Sequence, residues 1–455
     1  MAPALSTSDL IFPSASTNFS KTLGELKRSN LSITHRLRSI NEDSEFVCAV
    51  ADIFQRPLIA NERCGSWYIP PTRKQGSAYF KSTDGHSGEW SFSLRRLNLQ
   101  VLDVVGKGDG CIIVDSTRRG KSMPDALSKT VPIWCAVMNL ALFPELPSAH
   151  KLHTPQHAVS ASEHSQIEAR LESFVKQLKE LGLDLQELRL RISKPLRPLW
   201  IVQGSTLPTE APFYDDFHPI ILCTASRRVR GAEASEGGYI QGAGDDSEGW
   251  AKGLTPQLFW ENKDMLLRTV EEDLPDITAS LIADTKGTAG SGTGAVQIYP
   301  TSDIFLGTLA TVQAASPDDF NLFVVCSEKP MEAIDDATRK RVLHLQCTQG
   351  KLGSRDLRVQ LPKVKAHLAS APSRQRILFA CPTGKDLAVG AALMTLCIFY
   401  GDDGLFTPPI PDRDSMIDKQ SIRKKLSWIM ASFPEANPSR STLQSVNSVV
   451  MERPY

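Results

Sequence analysis

The sequence has no run of about 18 uninterrupted apolar residues, so no membrane-spanning helix is expected. Its opening residues, MAPALSTSDLIFPSAS, lack the basic region and long apolar core of a secretory signal. An excess of either charge is also missing: Lys+Arg and Asp+Glu are both 51, and the formal net charge is zero. A zero total gives no reason to expect a nucleic-acid partner, but it leaves room for a local basic face. Cysteine pairing is absent as well. The nine cysteines are scattered, without CxxC spacing or His partners at zinc spacing. They predict reduced thiols rather than a disulfide frame or zinc site. A cytoplasmic setting follows, with the nucleus as the alternative. No internal repeat stands out.

What is present is length and alternation of pattern. A chain of 455 residues exceeds a single core and predicts two or three domains. The Gly/Ser/Thr-rich stretch from Ala283 to Val296 has the composition of a flexible connector. The expected division is residues 1–283, a linker at 284–296, and residues 297–455. In the first part, Phe19–Ile40 reads as a helix, and Gln100–Val105 and Cys111–Val114 read as strands. Ala126–Leu142 reads as a buried helix interrupted by Pro132. Glu163–Leu181 carries Ile167, Leu171, Phe174, Val175 and Leu178 at helical spacing. Leu199–Val202 and Pro219–Cys223 are further strands. In the second part, strands are expected at Asp303–Leu306, Phe320–Val325, Val342–Leu345 and Ile377–Phe379. Helices are expected at Leu357–Ala369, Ala388–Tyr400 and Ile417–Ser432. The fold class is α/β: a mixed N-terminal domain, then a small C-terminal domain of the cysteine-phosphatase type.

Three segments carry chemistry. The first is Cys381-Pro382-Thr383-Gly384-Lys385-Asp386-Leu387-Ala388-Val389-Gly390, between an apolar strand and an apolar helix. Backbone N–H groups at such a helix start converge on one point and suit a phosphate, and Lys385 adds positive charge. The layout resembles the phosphate loop of cysteine-dependent phosphatases, in which Cys is followed by five residues and an Arg. Here Leu387 stands where that Arg would be. The loop is suited to holding phosphate without the guanidinium that grips a transferring phosphoryl group. The second segment is Asp115-Ser116-Thr117-Arg118-Arg119-Gly120-Lys121, after the strand at Cys111–Val114. It is similar to the phosphoribosyl-pyrophosphate loop of common phosphoribosyltransferases, with one acid where that motif has two. The third segment, Tyr79 to Trp90, holds Asp84 and His86 among two glycines. His86 suits a general base near neutral pH. Arg95, Arg96, Arg227 and Arg228 add cationic positions, and Asp245, Asp246 and Glu248 suit an Mg²⁺ around a polyphosphate.

Five motifs occur together in one order: Arg63-Cys-Gly-Ser-Trp-Tyr68, Tyr79–His86, Val114–Lys121, Gly244–Trp250 and Cys381–Asp386. In these the chain resembles the eukaryotic initiator-tRNA phosphoribosyltransferases, from about Arg63 to Tyr400. The resemblance implies transfer of a 5-phosphoribosyl group from phosphoribosyl pyrophosphate to the 2′-hydroxyl of a T-stem adenosine of initiator tRNA. The modified tRNA is thereby kept out of elongation. It also implies a C-terminal domain similar to dual-specificity phosphatases, Mg²⁺ accompanying the donor, and no tightly bound organic cofactor. The partners are then initiator tRNA and the donor, with neither DNA nor a membrane.

The residues leave two donor loops open. Cys381–Gly390 is favoured for a donor phosphate, and Asp115–Lys121 is the other candidate. The general base is open among Asp84, His86, Asp115 and Asp386, and the metal ligands are unknown. Arg118, Arg119, Arg227, Arg228, Arg95 and Arg96 are the expected tRNA contacts. The competing expectation is an inert phosphatase-like module that reads phosphorylated RNA or protein.

Overall fold

A computed structural model describes residues 32–82, 90–229, 238–285, 294–407 (apart from 317, 333, 349 and 371–374) and 417–451. It divides into two compact units. The first comprises Met1–Phe92, Val101–Glu172 and Leu185–Thr288; the second comprises Ser93–Gln100, Ser173–Asp184 and Ala289–Tyr455. The expected linker lies largely outside the described residues, as does the part of the first expected helix before Ser32.

The first unit is built on five parallel strands: β1 (Leu58–Asn61), β2 (Lys74–Ala78), β3 (Cys111–Asp115), β4 (Leu196–Val202) and β5 (His218–Thr224). Their order in the sheet is β2-β1-β3-β5-β4. Every residue of β3 and β5 is buried, which explains their unbroken apolar runs: a parallel sheet is covered on both faces. Helices α1 (Ile33–Phe54), α2 (Gln100–Gly108) and α3 (Val131–Leu142) flank the sheet. From β1 the chain runs outward to β2, then crosses to β3 on the other side of β1. The carboxyl ends of β1 and β3 therefore flank a reversal of strand order, where ligands bind in open α/β sheets.

Several expectations change here. Gln100–Val105 is helix, not strand. Its β-branched residues suggested a strand, but Val101, Leu102 and Val105 are buried at the i, i+1, i+4 spacing of one helical face. Glu163–Leu181 is two helices, Ala161–Glu168 and Leu171–Lys179, rather than one. Pro132 does not interrupt a helix. It stands in the first turn of α3, where its missing N–H costs little, and a π-helical turn at Ala126–Thr130 precedes it.

The second unit contains β6 (Val296–Gln297), β7 (Ile304–Thr308), β8 (Leu322–Ser327), β9 (Val342–Gln346) and β10 (Ile377–Cys381), in the order β6-β7-β10-β8-β9. Only β6 is antiparallel. Its long helices are α4 (Gly350–Ala369), α5 (Leu387–Phe399), α6 (Lys419–Ser432) and α7 (Arg440–Val450). Along β10 the side chains alternate between two cores. Ile377, Phe379 and Cys381 join the larger one with α5, while Leu378 and Ala380 join Phe305, Phe320 and Phe323. Every residue of α5 is buried.

Candidate active site

Three of the sequence motifs meet at the carboxyl ends of β1 and β3. Asp115 closes β3 and is fully buried. It accepts hydrogen bonds from Asn61 Nδ2 at 2.8 Å, Ser116 N at 2.8 Å, Cys64 Sγ at 3.0 Å and Arg63 Nε at 3.3 Å. Arg63 also donates to the Ser116 carbonyl at 2.9 Å and to Asp245 Oδ2 at 3.2 Å. Its guanidinium thus sits between two buried carboxylates. A chain of donors runs from Gly244 N to Tyr68 Oη (2.8 Å), from Tyr68 to Ser116 Oγ (3.1 Å), and from Ser116 to Asp245 Oδ1 (2.5 Å).

Close packing fixes this convergence. A Cβ on Gly65 would lie 2.4 Å from the Val114 carbonyl oxygen, so the turn after β1 passes directly over the end of β3 only with glycine there. Trp67 and Trp250 pack with ring centroids 5.0 Å apart, tying the Arg63–Tyr68 turn to the Asp245 segment. Trp250 Nε1 donates to the Asp245 carbonyl at 3.1 Å.

The electrostatics follow from burial. Burial pushes the Asp245 carboxyl above the usual carboxylate range; Arg63 opposes this and the charge of Asp115 adds to it. Burial would lower Arg63, but the carboxylates of Asp115 and Asp245 outweigh it and hold the guanidinium more firmly protonated than usual. Burial also raises the Cys64 thiol and the Tyr68 phenol, so both stay neutral at physiological pH. The mouth of the site is cationic and partly open. Arg63 and Arg118 are about one-fifth exposed, and Arg118 pairs with the exposed Asp246 and stands 3.7 Å from Asp245. In the following loop Arg119 and Gly120 both have positive φ, and Gly120 N donates to Gln241 Oε1 at 3.0 Å. Lys121 is exposed beside Asp125.

The Cys381 loop forms in the second unit between β10 and α5. Gly384 is left-handed, with φ 69°, and its N–H bonds the Cys381 carbonyl at 3.1 Å. Lys385 N donates to Thr383 Oγ1 at 3.2 Å. The Cys381 side chain belongs to the apolar core and is 2% exposed. Leu387, Ala388, Val389 and Gly390 are buried in α5, leaving only their backbone for a ligand. Asp386, at the cap position of α5, makes no side-chain bond to that helix. Its Oδ1 instead accepts from Ser439 N at 2.9 Å and Thr442 Oγ1 at 2.6 Å, fastening the loop to the start of α7. Lys385 Nζ reaches Glu435 at 2.5 Å, and both side chains are largely exposed.

The remaining expected residues are dispersed. Asp84 and His86 lie outside the described residues. Arg227 stacks on Tyr239 and pairs with Glu42, and Arg228 Nε donates to the Gly120 carbonyl at 2.6 Å. Arg96 binds Ala436 and Asn437, and Arg95 is half-buried. Sequence reasoning did not single out Asn61. The signal was the short apolar run Leu58–Ala60 ending in a carboxamide, hidden in a region dense in Gly, Trp and Tyr. The roles of Cys64 and Tyr68 were legible only as parts of a motif.

Parallel sheets with polar loops at the carboxyl ends of their strands define an α/β protein with its candidate sites at those strand ends. The chain belongs to the Rit1 family: the Rit1 N-terminal domain matches residues 26–283 and the Rit1 DUSP-like domain matches residues 341–450. It is 38% identical to an uncharacterised protein of Schizosaccharomyces pombe, covering 92% of this chain and 94% of that protein. It is 32% identical to the tRNA A64-2′-O-ribosylphosphate transferase of Saccharomyces cerevisiae, covering 94% of each. The Yvh1 phosphatase domain of Chaetomium thermophilum also matches, at 15% identity and a TM-score of 0.26. That match covers 34% of this chain and 93% of the domain.

Proposed function

We propose that this protein is a tRNA-modifying glycosyltransferase. It moves a 5-phosphoribosyl group from phosphoribosyl pyrophosphate to the 2′-hydroxyl of a T-stem adenosine, with initiator methionine tRNA as acceptor. The observation that carries this reading is the meeting of the Arg63–Tyr68, Asp115–Lys121 and Gly244–Trp250 segments at the strand reversal of the first sheet. The Saccharomyces cerevisiae tRNA A64-2′-O-ribosylphosphate transferase, similar over nearly the whole chain, supports it.

The chemistry fits the residues. When pyrophosphate leaves the anomeric carbon, negative charge grows on it, and fixed cations at the mouth of a buried site stabilise that charge. Arg63 and Arg118 have this position, and Lys121 is exposed in the same loop. Asp115 already accepts from four residues, so its role here is to position Arg63. Asp246 is the solvent-accessible carboxylate beside these arginines, suited to take the proton of the acceptor hydroxyl once Arg118 turns to the donor. Among the described residues no group of three His, Cys, Asp or Glu side chains is placed to hold a metal. In this scheme Mg²⁺ accompanies the donor, and no step is routed through it. Cys381 is buried and Leu387 replaces the phosphatase arginine, so the second loop is assigned phosphate holding rather than hydrolysis. The alternative of an inert phosphate reader leaves the polar constellation of the first unit without a task.

The deciding experiment incubates the protein with labelled phosphoribosyl pyrophosphate and total tRNA, then maps the label. Label on the 2′-oxygen of one T-stem adenosine of initiator tRNA is expected. Absence of any transfer, with donor and tRNA both bound, refutes the proposal.

A further inference from the structure

The arginines of the first unit that were expected to meet tRNA are engaged elsewhere. Arg118 pairs with Asp245 and Asp246, Arg227 with Glu42, and Arg228 with a backbone carbonyl. Helix α4 of the second unit offers a different surface. Its inner face places Leu357, Leu361, Val364 and Leu368 in the core. On the opposite face Leu352, Arg355, Val359 and Lys363 follow one another at helical spacing, and all are exposed. Leu352 is 61% exposed and Val359 is 72% exposed, so two large apolar side chains lie open on the same stripe as the cations. Arg358 is exposed at the margin of the same stripe.

The charge on this helix is predominantly positive. Its single acid, Asp356, is taken up at the helix start, accepting from Thr348 N at 2.9 Å and Thr348 Oγ1 at 2.7 Å. Among the described residues Arg355 and Lys363 form no ion pair, and the helical rise separates them by about 12 Å. We infer that this face of α4 is a contact surface for the phosphate backbone of the RNA substrate, resting on the reading that the acceptor is a tRNA. Cations set along a rigid helix match a polyanion, and the apolar side chains between them cover sugar or base surface. An acidic protein would meet the cations equally well. RNA is the occupant favoured, because a protein neutral overall needs a local cationic surface to hold it.

The test is a salt series with the full chain and a labelled, unmodified initiator-tRNA transcript, comparing the parent with Arg355→Ala/Lys363→Ala. Each phosphate contact contributes about 0.9 to the slope of log affinity against log salt. Losing two therefore lowers the slope by roughly 1.8, and shrinks the affinity loss between 50 and 200 mM salt about 12-fold. Donor titration and circular dichroism of the variant are expected to match the parent. Unchanged tRNA affinity and slope overturn the inference and leave the acceptor assignment standing. The same result with an altered oligomeric state in light scattering overturns it in favour of a protein-docking face. A parent protein with no affinity for tRNA overturns both this inference and the acceptor reading.

Discussion

Replacing Arg63 with methionine removes the cation between two buried carboxylates while keeping most of the side-chain volume. Arg63 contacts Asp115 at 3.3 Å and 3.4 Å, Asp245 at 3.2 Å and the Ser116 carbonyl at 2.9 Å, with one-fifth of its side chain exposed. Breaking a buried ion pair by deleting one partner costs about 3–5 kcal/mol, because the other charge is left uncompensated. At roughly 2–4 °C per kcal/mol for a unit of this size, the melting transition falls by about 6–20 °C. Trp67 and Trp250 pack against the site, so tryptophan fluorescence follows this transition. The loss also depends on pH. Asp245 already has a folded pKa above its unfolded value, and Arg63 is the strongest influence holding it down. Without Arg63 the folded value rises further. A carboxyl raised in this way favours the folded state when protonated. That contribution is fully present below the unfolded pKa and is lost as pH rises through the folded pKa. The variant is therefore expected to lose more stability, relative to the parent, at pH 8 than at pH 5. Adding Asp245→Asn to the variant should recover part of the loss. A drop under about 1 °C, or one equal at both pH values, would refute the account of two carboxylates held by one arginine.

Three other outcomes are expected. Lys385→Ala should weaken binding of inorganic phosphate at the second-unit loop by about 10- to 150-fold through loss of a charge-assisted hydrogen bond, with little change in melting temperature because its partner Glu435 is exposed; equal phosphate affinity in a titration excludes Lys385 from an anion site. Cys381→Ser should retain substantial transfer in a single-turnover assay, since the thiol is 2% exposed and faces the core; lost transfer with intact folding and donor binding would restore a covalent role. Gly384→Ala should destabilise the second unit by about 1–3 kcal/mol in thermal melts, because φ is 69° and the new Cβ would lie 2.9 Å from the Gly307 carbonyl oxygen; unchanged melting would mean that the loop relaxes freely.

The strands at the centres of both sheets were legible because parallel strands buried on two faces must be apolar throughout. Cys111–Val114, Pro219–Cys223 and Ile377–Phe379 are of this kind. Two strands of the first sheet, β1 and β2, were not legible, although the edge strands β4 and β9 were read in whole or in part. Lys74–Ala78 is a partly exposed edge with no apolar alternation, and Leu58–Asn61 is only four residues long. Gln100–Val105 misled because β-branched residues on a short amphipathic helix resemble a strand when the window is six residues. At the site, Asp115 and the arginine loop were visible as a strand end followed by cations. Asn61 was not, and that Cys64, Tyr68 and Asp245 are their neighbours was not either, because these residues are brought together only by the sheet and by the close approach at Gly65. Separation along the chain hid this: Arg63 and Asp245 are 182 positions apart.

The anchoring of Asp386 to Ser439 and Thr442 bears on the timing of synthesis. All five strands of the first sheet have been translated by Thr224, and the helix ending at Thr285 completes the sequence of that unit. At 5–20 residues per second, the roughly 155 residues from Thr285 to Ser439 take about 8–31 s. The first unit thus has time to fold while the ribosome is still translating. The loop of the second unit cannot be fastened in that interval, because its partners Ser439 and Thr442 have not yet been made. The loop is therefore fastened well after the first sheet has been made, and a truncated product that stops before Ser439 carries a formed first sheet with an unfastened loop.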